Sequence, residues 1–260
     1  MKVESLWHFP VKGLEGACRD QVHLETGRHF PDDRIFAIGN GHARHDETPA
    51  GSWHKKAFFL QQMQFEQLAE LRCAFDGTRL DILHRGRLAV SADMGSDDGI
   101  ETIDSFFAGL VGYQIPGIPH LMRIVDGSYA DTKDALISLG GTASVDAFAA
   151  ATDTRPNQHR FRLNIMLDTD TAFAENDLLG KRVRLGGAEL QIVAPVGRCA
   201  AIDVDPETAV RGPHYLPVME QAFGHTDLGV FAEIISGGPV SVGDQLTICL
   251  LYTSPSPRDS

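Results

Sequence analysis

Pro195-Val196-Gly197-Arg198-Cys199-Ala200-Ala201-Ile202-Asp203-Val204-Asp205-Pro206-Glu207-Thr208 is the stretch on which the chain turns. It comes after the apolar run from Glu189 to Val193, which has the composition of a strand. Asp205-Pro206-Glu207-Thr208 puts Pro second, where its fixed φ suits a type I turn, behind an Asp able to bond back to the backbone. Cys199 therefore lies between a strand and a turn, with Arg198 beside it. A guanidinium next to a thiol favours the thiolate, the form that binds metal or attacks an electrophile. An isolated Cys is equally a small apolar side chain suited to a core, and chemistry alone leaves both readings open.

Outward from this stretch, Arg182 to Leu185, the Gly186-Gly187 pair and Glu189 to Val193 read as a hairpin. Arg160 to Leu167 reads as a strand, with Phe161, Leu163 and Ile165 on one face and Arg162 and Asn164 on the other. Leu121 to Val125 and Ala135 to Leu139 read as strands, and Ala143 to Ala150 as a short helix. Leu216, Met219 and Phe223 predict a helix ending at Gly224. Val230 to Ile235 and Gln245 to Leu250 are expected to form the last strand pair.

In the first half, Val3, Leu6 and Trp7 predict an opening strand stopped by Pro10. Val22 with Leu24, and Arg34 to Gly39, predict two more, with a polar loop from Gly39 to Trp53 after them. Met63 to Leu71 has helical spacing, and Cys73 to Ala92 reads as a meander turning at Asp76-Gly77 and Arg85-Gly86. Ser96 caps a predicted helix carrying Ile100, Ile103, Phe106, Phe107 and Leu110, closed by Gly112. Gly112 to His120 holds Pro116 and Pro119 and no apolar period, so the boundary between two halves falls there. Many short strands with a few helices give a β-rich α+β barrel fold rather than a doubly wound sheet.

The 260 residues are 43% apolar, enough for a large core. With 23 basic and 35 acidic side chains the balance is −12, which argues against a nucleic-acid or anionic-membrane surface. Cys18, Cys73, Cys199 and Cys249 form no CxxC pair, so structural zinc and iron–sulfur frameworks are not expected. Met1 to Ser5 has no apolar leader and no run approaches the ~18 residues of a membrane span, so a cytoplasmic protein is expected. Residues 251–260 read as a disordered, non-native vector or read-through tail outside the fold.

His42-x-x-His45 has ligand spacing, but these two and His54 sit in a polar Gly-rich stretch and read as solvated loop histidines. His225 either faces a site as a proton donor or caps the preceding helix. Asp203 and Asp205 suit an acid–base pair, although Asp205 already has work in the turn. The chain lacks GxxxxGK[ST], GxGxxG after a strand, and GxSxG, which removes support for nucleotide hydrolysis, Rossmann hydride transfer and Ser-hydrolase chemistry.

Gly197-Arg198-Cys199 together with Val204-Asp205-Pro206-Glu207-Thr208 resembles the signature of the molybdenum-cofactor sulfurase C-terminal (MOSC) domain. Other pieces occur in the family's order. Phe9-Pro10-Val11-Lys12-Gly13 resembles its YPVKS opening, Asp32-Asp33-Arg34 its DR strand start, and Phe161-Arg162-Leu163-Asn164-Ile165 its FRPNI. Gly229-Val230-Phe231-Ala232-Glu233, Gly237-Gly238 and Val242-Gly243-Asp244 resemble the closing GVYAEV…GG…VGD hairpin. Three positions depart: Gly13 for Ser, Leu163 for Pro, and Ala209 where the VDPxTG run has Gly.

The resemblance implies a MOSC-type β-barrel over 118–250, preceded by a smaller barrel-like N-terminal domain over 1–117, with a few covering helices. In the branch that includes the mitochondrial amidoxime-reducing component, the motif Cys is the protein ligand to molybdenum. Cys199 is then the expected metal ligand and catalytic residue. Lys12, Arg34, Arg162, Asn164, Gly197 and Arg198 are the expected contacts to a molybdopterin-type cofactor. Arg suits its phosphate bidentately, Lys as a point charge, and Asn suits the pterin edge. The implied activity is reduction of a small N-hydroxylated compound with electrons from a separate ferredoxin- or cytochrome-like donor, since the chain ends without a fused ferredoxin. The other reading is a non-catalytic cofactor or sulfur carrier that bears a persulfide on Cys199.

Overall fold

The computed structural model describes residues 1–41 and 51–249. The His42/His45 pair and the 251–260 tail lie outside them. Among the described residues, fifteen strands alternate with three α-helices: β1 Lys2–His8, β2 Ala17–Arg19, β3 Gln21–Leu24, β4 Phe36–Gly39, β5 Leu71–Phe75, β6 Arg79–His84, β7 Arg87–Asp93, α1 Asp97–Val111, β8 His120–Arg123, β9 Leu136–Gly141, α2 Thr142–Thr152, β10 Ile165–Asp168, β11 Arg182–Leu185, β12 Ala188–Gly197, α3 Leu216–Phe223, β13 Asp227–Ser236, β14 Gly238–Ser241 and β15 Leu246–Ile248. The fold is β-rich with a few helices. None of the described helices is long and apolar enough to cross a membrane.

One sheet dominates. Its eight strands run β15-β11-β12-β13-β9-β10-β1-β2, with β10 and β9 parallel and the other neighbours antiparallel. Alternation along β12 and β13 sends Leu190, Ile192, Val230, Ala232 and Ile234 into one core with Leu6, Leu139, Ile165 and Leu167. The ladder has two ends among the described residues, so the expected closed barrel is not formed by its strand pairing. Isolated contacts do bring the two regions together: the Leu246 N–H donates to the Met1 carbonyl at 3.0 Å, and Gly243 to Val3 at 2.8 Å.

A second core belongs to the meander β5-β6-β7 and α1. The Asp76 carboxylate accepts from the Thr78 and Arg79 amides, and Arg85 and Gly86 both take positive φ, as a two-residue hairpin turn requires. Ser96 caps α1 by accepting from the Gly99 N–H at 3.1 Å. Gly99 is needed there because a Cβ would come within 1.9 Å of the Asp93 carbonyl oxygen. Ile103, Phe107 and Val111 then bury one helix stripe.

Several expectations are corrected. Met63 to Leu71 is not an α-helix; only a short 3₁₀ turn, Glu66–Glu70, precedes β5. The last pair is not β13 with β15. β15 pairs with β11, while the intervening β14 pairs with β3 in a separate ribbon. Arg160 to Leu167 is a strand only from Ile165, because Gln158–Arg160 is a 3₁₀ turn and Arg162 takes φ +52°. Apart from these corrections, strand pairing links residues on the two sides of 117/118. β1 lies beside β10, and β8 pairs with β4.

Candidate functional site

β12 ends at Gly197, paired with Asp227, and the Arg198 N–H still reaches the Thr226 carbonyl at 3.0 Å. Cys199 is extended (φ −130°, ψ 173°) and leads into the 3₁₀ turn Ala200–Asp203. The chain beyond that turn is heavily anchored. The Asp203 carboxylate accepts from the Tyr215 N–H at 3.0 Å and pairs with His214 Nδ1 at 2.9 Å. Asp205 Oδ1 accepts from the Glu207 and Thr208 amides, closing the turn read from sequence. Arg160 ties it down from below, donating to the Ile202 and Val204 carbonyls at 2.7 and 2.9 Å and to Asp205 at 3.0 Å.

Burial works to raise the Asp205 carboxyl, yet the Thr208 and Glu207 hydrogen bonds and the Arg160 charge hold it below the usual range. Asp203 and Asp205 are thus spent on structure, and neither lines the pocket, so the acid–base pair is set aside. His225 does not line it either; its ring packs on Phe173 at 4.8 Å and Nδ1 accepts from the Asp227 N–H. His54, expected to be solvated, is 6% exposed and packs against Phe58 and Phe59.

Cys199 stands on the wall of a cavity of about 160 Å³. Lys12, Arg34, Arg162, Asn164, Gly197 and Arg198 line the same cavity. Residues separated by more than 180 positions in sequence thus meet in one place. Four lining residues that sequence reasoning passed over complete its charge: Lys56, Arg160, Asp33 and Asp131. Among the described residues, six cationic side chains therefore line the pocket against two carboxylates, inside a chain of net charge −12. Such a concentration favours a small multiply charged anion. Arg160 directly precedes the Phe161–Ile165 motif and Asp33 belongs to the Asp32-Asp33-Arg34 motif, so both were findable; nothing in the loop around Asp131 flagged it.

Local backbone explains the placement. The positive φ at Arg34 and Arg162 turns both guanidiniums onto the Phe9 ring, at 5.0 and 5.1 Å from its centroid. Arg34 also donates to the Arg162 carbonyl at 3.0 Å and pairs with Asp33. Burial pushes Arg162 down to about 10, with the Arg34 charge acting the same way. Burial likewise brings Arg198 to about 10, while Cys199 and Asp131 act against the shift.

Among the described residues, two donors on pocket-lining arginines are left over. Arg162 Nε and one terminal nitrogen of Arg198, Nη2, are buried and have no protein partner. Buried donors are rarely left unpaired, and each costs roughly 1–3 kcal/mol, more when charged. A phosphate or another oxyanion in the pocket would supply the missing acceptors. The donor set fits a molybdopterin-type group on that ground, and Cys199 on the same wall would be its soft donor. Asn164 fits less well than expected. Its Oδ1 already accepts from the Ser138 N–H and Oγ, and Nδ2 donates to the Trp7 carbonyl, which leaves one amide N–H for a ligand. Cys73 is a different kind of thiol, donating to the Glu15 carbonyl, with burial pushing it up to about 12.

The three departures have local reasons. Gly13 takes φ +89°, and a Cβ there would lie 2.9 Å from the Leu60 carbonyl oxygen, so this backbone does not admit Ser without moving. Leu163 fills space left by two glycines; a Cβ on Gly140 would be 2.3 Å from its Cδ1 and one on Gly229 3.1 Å. Ala209 keeps the left-handed φ, +55°, that a Gly accepts without strain.

Comparison with known proteins gives partial likenesses and a family match. Over 62 residues, 24% of this chain, the sequence is 37% identical to proteins named molybdenum cofactor sulfurase from Drosophila yakuba and Drosophila melanogaster. That stretch spans 8% of the length of those relatives. Among solved structures, the chain is similar to the YuaD protein of Bacillus subtilis (TM-score 0.44, 12% identity, 94% of this chain and 93% of that one). It is also similar to YiiM of Geobacillus stearothermophilus (TM-score 0.33, 20% identity, 45% of this chain and 55% of that one). Residues 126–247 match the model of the MOSC domain, and this match supports the MOSC family, which is linked to molybdenum-cofactor enzymes.

Proposed function

We propose that the protein binds a molybdenum cofactor through Cys199 and reduces small N-hydroxylated compounds, in the manner of the amidoxime-reducing branch, with electrons from a separate donor protein. The observation that carries this reading is the half-buried Cys199 thiol on the wall of a cationic pocket whose Arg162 and Arg198 have unpartnered buried nitrogens.

When bound, the cofactor supplies a two-electron redox centre already ligated by sulfur. The chain's own residues do the rest. Arg162 and Arg198 hold oxyanion oxygens, and the Lys12 ammonium adds a point charge. Arg160 and Asp203 keep the segment after Cys199 in one conformation, so the sulfur is presented without reorganisation. Val196, Ile202 and Phe231 give the pocket an apolar side against which a small organic substrate can lie.

The experiment is expression in a host that makes the cofactor, molybdenum per protein by mass spectrometry, and reduction of a hydroxylamine with an artificial donor. Metal with turnover supports the reductase. The shared stretch with proteins named molybdenum cofactor sulfurase favours a second reading, a cofactor or sulfur carrier with a persulfide on Cys199. Metal or persulfide without turnover would decide for the carrier. Arg162→Ala is expected to weaken cofactor retention more than it lowers Tm.

A further inference from the structure

Lys12 is a buried pocket cation whose carboxylate partner is largely exposed. Its side chain is 8% exposed, and its ammonium donates to Asp131 Oδ1 at 2.6 Å and to the Tyr129 carbonyl at 2.7 Å. Asp131 is 59% exposed at its side chain, yet lines the same cavity. The other lining carboxylate is fixed: Asp33 is 4% exposed and accepts from the Phe9 N–H and from Arg34.

The backbone beneath Asp131 is pinned from two sides. Tyr129 is fully buried and its N–H reaches the Arg34 carbonyl at 2.8 Å; Trp53 Nε1 donates to the Ala130 carbonyl at 3.1 Å. Asp131 is the first residue beyond those anchors. Its carboxylate can leave by rotation of the side chain alone, a fast motion that needs no loop opening. A place to go exists, since Lys56 lines the cavity too and its charge acts on Asp131.

A buried ammonium without a counter-charge is costly, and burial already lowers the Lys12 pKa. Asp131 removes that cost when no ligand is present. A phosphate arriving at Lys12 meets the same carboxylate as a like charge. We propose that Asp131 is a stand-in anion: it holds the Lys12 end of the pocket and hands Lys12 over to an incoming phosphate-type oxyanion, swinging toward Lys56. This rests on reading the pocket as an oxyanion site. Asp131 then sets how tightly the pocket takes its anion and keeps weak monovalent anions out.

The test is calorimetric titration of inorganic pyrophosphate into the full chain at low ionic strength, using wild type, Asp131→Asn, Asp131→Ser, Arg162→Gln and Arg34→Gln, each first checked by its melting curve. Asp131→Asn and Asp131→Ser are expected to bind roughly tenfold tighter, as removing one repelling charge implies. The two Arg variants are expected to bind more weakly. Equal or weaker binding by both Asp131 variants, with the Arg variants also weakened, overturns the stand-in role and leaves the oxyanion pocket standing. Binding unaffected by either Arg substitution, or absent in wild type, overturns the pocket reading and this proposal with it.

Discussion

The Arg198 guanidinium donates to the Phe161 carbonyl at 2.8 Å, tying the residue before Cys199 to the residue before Arg162. The two pocket-lining segments, one from the end of β12 and one from the approach to β10, are thus one mechanical unit. Arg198→Ala should cost about 1–3 kcal/mol, because it strands the partly buried Phe161 and Val196 carbonyls. Arg198→Lys should recover part of that stability without restoring pyrophosphate affinity, since an ammonium lacks the guanidinium fork. Urea denaturation paired with calorimetry separates the two effects; full recovery of both by Lys would contradict the geometry.

Cys199→Ala should leave the fold intact, as the side chain is half-buried and makes no hydrogen bond among the described residues. Its Tm is expected within a few degrees of wild type, with a ΔΔG of about 1 kcal/mol or less. Molybdenum content and hydroxylamine reduction should both vanish. Retained turnover in this variant would remove Cys199 from the centre of the site.

Gly13 and Ala209 make opposite predictions from the same kind of backbone conformation. Gly13→Ser forces a side chain into φ +89° against the Leu60 carbonyl and should destabilise by about 2 kcal/mol or more. Ala209→Gly relieves a left-handed alanine and should be neutral to stabilising by up to about 1 kcal/mol, after the extra chain entropy of glycine is counted. Chemical denaturation midpoints check both.

Acid sensitivity should come from His8. Its ring is 4% exposed, Nδ1 accepts from Arg19 Nε at 3.1 Å, and burial together with the Arg19 charge pushes it down from 6.5 to about 4. Above pH 6.5 the ring is neutral in both folded and unfolded chains, so the stability is fully present. Between 6.5 and 4 only the unfolded chain takes up the proton, and stability falls with falling pH by an amount on the order of 3 kcal/mol. His29, also lowered by burial, adds in the same direction. His8→Asn keeps an acceptor for Arg19 but does not titrate, so it should flatten the pH dependence of the denaturation midpoint in this window. An unchanged slope would show that His8 carries none of it.

The expected pocket-lining residues came from the family resemblance, because they are scattered from Lys12 to Arg198. The Asp205 turn after Cys199, the Ser96 cap and the β5-β6-β7 meander come from short-range rules about turns, caps and alternation. Long-range pairing was harder. Gly238–Ser241 is short and holds Pro239, so nothing marked it as the partner of Gln21–Leu24. The error at 160–164 has a plain cause. Alternating apolar residues at Phe161, Leu163 and Ile165 mimic a strand, but the left-handed Arg162 breaks the period and aims the guanidinium into the pocket. The partners that occupy most of the Asn164 amide, Ser138 and Trp7, are 26 and 157 positions away, beyond the reach of local pattern.

The placement of β1 beside β10 bears on how this protein can be dissected. A fragment begun at residue 118 would bare the β10 edge that β1 now covers, inviting intermolecular pairing. The same cut would discard Lys12 and Arg34, and with them one wall of the cavity. Solubility and anion affinity would fail together in such a truncation, from a single snip of the scissors.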